Sequence, residues 1–172
     1  MHWFCLECWS ELGEDAVICP ACGASVKEAR GRNYVQKLIA ALRHPVGETA
    51  EFAAQILGEL EAQEAVPVLI ETLGRSGEPY LQAAAARSLG DLQAAEAVPA
   101  LCEVLRSSYL VARIAAARAL GRIATSEAVA ALEEARQDRT ESVRRAVEEQ
   151  LARRAAVSGP DGRKLVRDDG GY

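Results

Sequence analysis

Four cysteines near the N-terminus fall in two Cys-x-x-Cys pairs, Cys5-Leu6-Glu7-Cys8 and Cys19-Pro20-Ala21-Cys22. Four thiolates at that spacing complete a tetrahedral shell, and the ion expected there is zinc, one per chain. Such a shell leaves no open position for water, so its chemistry is structural cross-linking rather than catalysis. A hairpin this short buries little apolar surface, and the metal would supply most of its folding free energy, about 10 kcal/mol or more in small zinc modules. Iron or another thiophilic ion, a pair of disulfides, and a redox-active dithiol are the rival readings. No secretory signal favours the disulfides, and no βαβ pattern surrounds either pair to favour the redox site.

Little else in the chain has the makings of a catalytic site. Cys102, the one thiol outside those pairs, takes the place that Ile70 holds on an apolar helical face, which reads as a packed core cysteine. His44 precedes Pro45 in a loop and reads as a solvated turn residue; His2 reads as a solvated terminal histidine, since four sulfurs already fill the shell. There are no His-Glu ligand pairs on helices, no glycine-rich phosphate loop and no serine or cysteine with a partnered base, so no enzyme activity is expected. Trp3, Phe4 and Trp9 exceed what a small hairpin can bury. At least one of them is expected either to dock on the chain's own first helices or to meet a partner.

The string from Phe4 to Val26, FCLECWSELGEDAVICPACGASV, resembles the short bacterial zinc-ribbon family, in which an aromatic-Cys-Pro-x-Cys-Gly knuckle occurs twice around a polar hairpin. Pro20 and Gly23 give the second knuckle that pattern. The first departs from it, with Leu6 where proline is usual and Trp9 where glycine is usual.

After Arg30 the composition shifts to Ala, Leu, Glu and Arg, which predicts a mostly helical body. Leu57-Gly58, Leu89-Gly90 and Leu120-Gly121 recur at steps of 32 and 31 residues, and Glu64-Ala65-Val66, Glu96-Ala97-Val98 and Glu127-Ala128-Val129 recur at the same steps. Periods of that size mark a repeat array. Tyr34 to Leu42 matches the second half of a unit and Ser142 to Arg154 a first half, so four helix pairs are expected, offset by half a unit. In the first half, Ala53, Ala85 and Ala116 permit close helix approach, and the Leu-Gly is read as a flexible helix exit. In the second, Val66, Leu69, Ile70 and Leu73 form one apolar stripe, while Pro67 and Pro99 occupy a first turn where a missing N–H costs nothing. One pair cannot bury its stripe alone, so stacking makes the core.

The Leu-Gly-x-Leu, Glu-Ala-Val-Pro-x-Leu and Val-Arg-x-x-Ala signatures, over about residues 33 to 154, resemble the HEAT repeats of the phycobilisome-lyase type. The resemblance implies that Asp138 caps a helix and that the arginine at the position of Arg144 and Arg113 pairs with a neighbouring unit. Gln82 stands at that position one unit earlier. The family includes bilin lyases and isomerases beside many scaffolds, so fold alone does not decide function.

Charge is polarised along the array. From His44 to Glu103 there are ten acidic and two basic residues; from Val104 to Arg154, seven acidic and ten basic. The second helices of such arrays line the concave face, where Glu71, Glu103 and Glu134 hold equivalent positions, with Glu64, Glu96 and Glu127 near the same face. Six carboxylates would form two ladders facing a basic or amine-bearing partner; alternatively they serve the helix macrodipole and solvation. Arg113, Arg118, Arg122, Arg136, Arg139, Arg144, Arg145, Arg153 and Arg154 alternate with glutamates, and the formal charge is −5, which disfavours nucleic acid.

The expected fold class is all-α, a right-handed α-solenoid of HEAT-like helix pairs with a small N-terminal zinc ribbon. The expected domains are a ribbon over 1–27, the array over 28–154 and a flexible tail over 155–172. No apolar run approaches a membrane span, and no cleavable signal or lipidation motif is seen, so a cytoplasmic location is expected. The expected function is a noncatalytic adaptor or scaffold binding another protein through the six glutamates, Trp3 and Trp9. An accessory or maturation subunit of a cofactor-bearing complex is the alternative.

Overall fold

The structure, a computed structural model, describes residues 3–75, 77–107 and 109–157, the side chains of Trp3, Arg30 and Val157 excepted. His2 and the tail from Ser158 lie outside the described residues. A hairpin of two short antiparallel strands, β1 (Trp3–Phe4) and β2 (Glu11–Leu12), pairs Trp3 with Leu12 and Phe4 with Glu11. Helix α1 (Val26–Gly31) closes the module, its N-cap Ser25 accepting from the Glu28 N–H at 3.4 Å. It runs across residue 27, where the sequence boundary was set. Cys5, Leu12, Cys19 and Val26 make a small core of their own.

Asn33 starts α2 (Tyr34–Ala41) with a reciprocal cap: its carboxamide oxygen accepts from the Gln36 N–H at 2.8 Å, and the Gln36 side chain accepts from the Asn33 N–H at 3.1 Å. Seven further helices follow, α3 (Gly47–Glu59), α4 (Val66–Leu73), α5 (Pro79–Asp91), α6 (Val98–Leu105), α7 (Leu110–Ile123), α8 (Ser126–Ala135) and α9 (Glu141–Val157). The order of packing is that of an α-solenoid: α3, α5, α7 and α9 stack in one layer, while α4, α6 and α8 form the second, each against its first-layer neighbours. One continuous core runs from Leu42 to Leu151, with Leu57, Leu69, Leu89, Leu101, Leu120 and Leu132 almost wholly inaccessible. α9 continues to Val157, through the first three residues of the segment expected as the tail.

The glycines of the Leu-Gly pairs are not helix exits. Gly58, Gly90 and Gly121 lie inside α3, α5 and α7, where the first-layer helices cross most closely. A Cβ on Gly58 would sit 3.0 Å from Ser88 Cα, and one on Gly90 would sit 2.8 Å from Ala119 Cα. At the first crossing the Ser88 hydroxyl also donates to the Ala54 carbonyl at 2.7 Å. The chain leaves these helices three residues later, at Glu61, Gln93 and Ala124, all with φ near +50°. After α3, Ala62 N–H donates to Leu57 O and Glu61 N–H to Gly58 O, and after α5 Ala94 and Gln93 repeat the pattern on Leu89 and Gly90. These are Schellman turns built without glycine.

The second-layer helices differ according to one proline. Pro67 and Pro99 follow a 3-10 turn at Gln63–Ala65 or Ala95–Ala97, and the α-helix behind each has eight residues. In the third unit Ala130 replaces the proline at the same spacing from the helical glycine. Thr125 then caps a continuous ten-residue α8, accepting from Ala128 N–H at 3.2 Å.

Candidate metal centre and second-helix face

The two cysteine pairs fold into one geometry. Trp9 N–H donates to Cys5 O at 2.9 Å and Cys5 N–H to Ser10 O at 3.0 Å; Gly23 N–H donates to Cys19 O at 2.9 Å and Cys19 N–H to Ala24 O at 2.8 Å. Trp9 and Gly23, equivalent in the two knuckles, both take the left-handed conformation, with φ of 60° and 74°. Trp9 therefore adopts what glycine adopts easily, at a cost of about 1–2 kcal/mol for a residue with a Cβ. All four Sγ atoms lie within 4.8 Å of one another, with Cys5–Cys22 and Cys8–Cys19 at 3.6 Å. A tetrahedron with bonds of about 2.3 Å has edges of about 3.8 Å, so the set fits a metal. The nearest Sγ atoms are 3.6 Å apart, a spacing of metal ligands rather than of the ~2.05 Å disulfide bond.

Four thiols so close cannot all ionise independently. Hydrogen bonds with Ser10 pull Cys8 down to about 6. Cys22 is drawn down by the Ala24 N–H, yet its bonding to Cys8 and the other sulfurs pushes it up to about 12. A cation among them relieves that conflict. Among the described residues, these cysteines are the one cluster with metal-ligand geometry.

Trp9 is half-buried against the loop after α2, its ring edge-on to His44 with centroids 4.3 Å apart. Docking onto the chain's own first helices is one of the two roles expected of these aromatics, and this contact is of that kind. His44 is not a solvated turn residue: it is half-buried, and its Nδ1 accepts from the Val46 N–H at 3.0 Å. An ion pair of Arg32 with Glu7 ties α1's exit to the first knuckle. Phe4 stays exposed, 52% accessible, on an apolar cleft of about 250 Å³ with Leu6, Leu12, Val26 and Ala29. The Trp3 side chain lies outside the described residues.

Glu71, Glu103 and Glu134 are exposed on α4, α6 and α8, one per successive second-layer helix, and Glu64, Glu96 and Glu127 are exposed one turn or more toward each helix start. Arg43 reaches Glu71 at 2.9 Å and Arg106 reaches Glu134 at 3.2 Å. The position equivalent to Arg43 and Arg106 in the intervening unit is Gly74, and Glu103 makes no ion pair among the described residues.

Between the layers, Arg113 is 3% exposed and donates to Ser107 O at 3.2 Å, to Thr140 Oγ1 at 2.6 Å and to Asp138 Oδ1 at 3.3 Å. Asp138 Oδ1 also accepts from the Thr140 N–H at 2.7 Å, opening the turn before α9, and Arg144 donates to Asp138 O at 2.8 Å. The aspartate thus orders a helix start while the arginine crosses between units. A profile described as HEAT repeats matches residues 35–110 and again 68–152. The chain belongs to the HEAT-repeat family.

Solved HEAT-like neighbours carry different functions. Phycocyanin lyase, solved as the complex of CpcE and CpcF from a Nostoc species, is 25% identical, with a TM-score of 0.62 over 74% of this chain and 55% of its own. Human deoxyhypusine hydroxylase, solved in complex with glycerol, is 29% identical, with a TM-score of 0.58 over 71% of this chain and 43% of its own. An engineered protein reaches 26% identity and a TM-score of 0.55 over 76% of this chain and 66% of its own. The chain spans about half the length of the first two. Among curated proteins, no sequence matches it. No described helix is long and apolar enough to cross a membrane.

Four of the remaining arginines of the C-terminal half find partners within the HEAT array. Arg122 pairs with Asp91, Arg136 with Glu133 and Arg153 with Glu149, and Arg154 donates to Ala124 O. Cys102 is half-buried at the rim of the cleft between α6 and α8, and burial pushes its thiol up, away from nucleophilic character.

Proposed function

We propose that this chain is a noncatalytic HEAT-repeat scaffold whose second-layer face captures a protein partner bearing basic side chains, and whose N-terminal module is a zinc ribbon held by Cys5, Cys8, Cys19 and Cys22. The observation that carries the first half is the row of exposed Glu71, Glu103 and Glu134 on successive helices. Such a row concentrates negative potential along one face, which raises association rate and selects among partners. The four-sulfur cluster supports the second half. Bound zinc would act there as a cross-link that holds the two knuckles together. The organisation proposed is a ribbon closed by α1, the helix array, and the segment beyond α9 as a tail; the ribbon's separate core supports the division. The intramolecular pairing of Arg113, Arg122, Arg136, Arg153 and Arg154, with a formal charge of −5, argues against nucleic acid. The proposed location is the cytoplasm.

The test replaces Glu71, Glu103 and Glu134 together by Gln and compares capture of the native partner at low salt. Weakened, less salt-dependent capture with unchanged helical circular dichroism is expected; equal capture rejects the reading. The second reading, an accessory or maturation subunit of a cofactor-bearing complex, is favoured by the similarity to phycocyanin lyase. A chromophore or cofactor that co-purifies with the chain from its native host would establish it over the scaffold.

A further inference from the structure

One cleft on the second-layer face is lined with acceptors that have nothing to accept from. Gln82 is 6% exposed; its Nε2 donates to Leu73 O at 2.7 Å, but its Oε1 is buried without a partner. Ser107 Oγ is buried and unpartnered as well. Both line the same space of about 350 Å³ between α4 and α6, with Ile70, Gly74 and Glu103 around them. A buried polar atom left unsatisfied is costly, so two facing one cleft point to a partner group that belongs there.

The next unit says which donor. One repeat along, between α6 and α8, the equivalent cleft is lined by Cys102, Leu105, Arg106, Glu134 and Asp138. There the chain supplies its own guanidinium groups: Arg106 meets Glu134, and buried Arg113 meets Asp138 and Thr140. In the cleft between α4 and α6, Gly74 stands at the position of Arg106, Gln82 at that of Arg113 and Ser107 at that of Asp138. Both cations are gone while the carboxylate of Glu103 remains. A guanidinium has five N–H donors, no acceptor and a planar fork, which matches a carboxylate, a carboxamide oxygen and a hydroxyl oxygen side by side better than a compact ammonium does.

We propose that the cleft between α4 and α6 is a receptor slot for the guanidinium of an arginine side chain presented by the protein partner, with Glu103, Gln82 and Ser107 as its acceptors. The slot rests on the reading of the acidic second-layer face as the partner surface and names the chemistry that face selects. Gly74 makes the room: its φ of −74° suits any residue, and a Cβ there would meet only Glu71 O, at 3.4 Å.

The test uses the full chain, prepared with zinc, and a blocked pentapeptide with one central arginine among glycines, followed by NMR at the Gln82 side-chain amide and the Gly74 backbone amide. Both signals should shift with a dissociation constant of about 1 mM, as expected for one charged contact. The lysine peptide should bind about threefold or more weakly, the citrulline peptide still less, and Glu103→Gln should weaken arginine binding about tenfold. Gly74→Arg restores the chain's own cation and should abolish the response without unfolding. An unmoved Gln82 signal at saturating peptide, or an equal response in Gly74→Arg, overturns the slot. Agmatine distinguishes the source: tighter binding of agmatine than of the peptide assigns the site to a small molecule and also overturns the proposal. Native-partner capture undiminished by Gly74→Arg sinks the slot alone, whereas undiminished capture by the triple glutamine variant sinks the wider reading.

Discussion

The indole of Trp9 stands edge-on to the imidazole of His44, with ring planes at 64°, and this contact joins the four-cysteine hairpin to the loop between α2 and α3. The same residue holds a left-handed backbone that glycine holds in the other knuckle. Trp9→Ala loses the ring and keeps the backbone cost; Trp9→Gly loses the ring and relieves it. The glycine variant should be the more stable by about 1 kcal/mol, the reverse of the usual order in helices. Denaturant titration followed by zinc release would measure the difference, and an alanine variant that matches or exceeds the glycine one would refute it.

Metal removal should separate the two parts. The chain should bind one equivalent of zinc through Cys5, Cys8, Cys19 and Cys22, and chelation or Cys19→Ser should unfold the hairpin while most helical circular dichroism persists, because the array has its own continuous core. Substantially less than one equivalent in protein prepared without chelator contradicts the binding. Collapse of the helical signal shows instead that the hairpin is required to cap the array.

At the first-layer crossing of α5 and α7, Gly90→Ala forces a Cβ to 2.8 Å from the Ala119 backbone and should destabilise by about 1–3 kcal/mol. Three residues on, Gln93→Gly should stabilise by about 1 kcal/mol, since Gln93 already sits at a φ of 51°. Two neighbouring substitutions that exchange glycine in opposite directions thus have opposite signs, readable from thermal unfolding.

The buried pair of Arg113 and Asp138 should be costly to break and cheaper to delete whole. Asp138→Ala leaves a guanidinium that is 3% exposed without its carboxylate and also removes the acceptor for Thr140 N–H, a loss of about 3 kcal/mol or more. Arg113→Met combined with Asp138→Ala should cost less than the sum of the single changes. A double-mutant cycle by urea denaturation measures that coupling, and strict additivity would show that the pair acts independently.

Periodicity made the array legible: steps of 32 and 31 residues place the helices, and the apolar stripe of Val66, Leu69 and Leu73 is the buried one. The cysteine spacing likewise foretold that four sulfurs meet. The Leu-Gly pairs were misleading, because a glycine near a helix end signals an exit as readily as a crossing, and only the facing Ser88 and Ala119 distinguish the two. Glu61 and Gln93 carry no local mark of a left-handed turn; the Schellman hydrogen bonds impose it. Gln82 was visible as a departure from arginine, but its meaning required seeing that its oxygen is buried and that Gly74 and Ser107 depart with it.

The residues from Ala62 to Gln93 begin just after one left-handed turn and finish on the next, and they include Ser88, which receives one crossing glycine, and Gly90, which offers another. A tandem copy of this segment would join Gln93 to a second Ala62, chemically the same step as the existing Gln93-Ala94, and would recreate a glycine facing a serine at the new crossing. Gene duplication can therefore lengthen the protein in whole units without inventing a new first-layer crossing. The copy would bring Glu71 and Arg75 to the positions that Glu103 and Ser107 hold now, so the added cleft would keep its carboxylate and gain an arginine of its own; the protein would grow longer while the number of arginine-free clefts stayed at one among the described units.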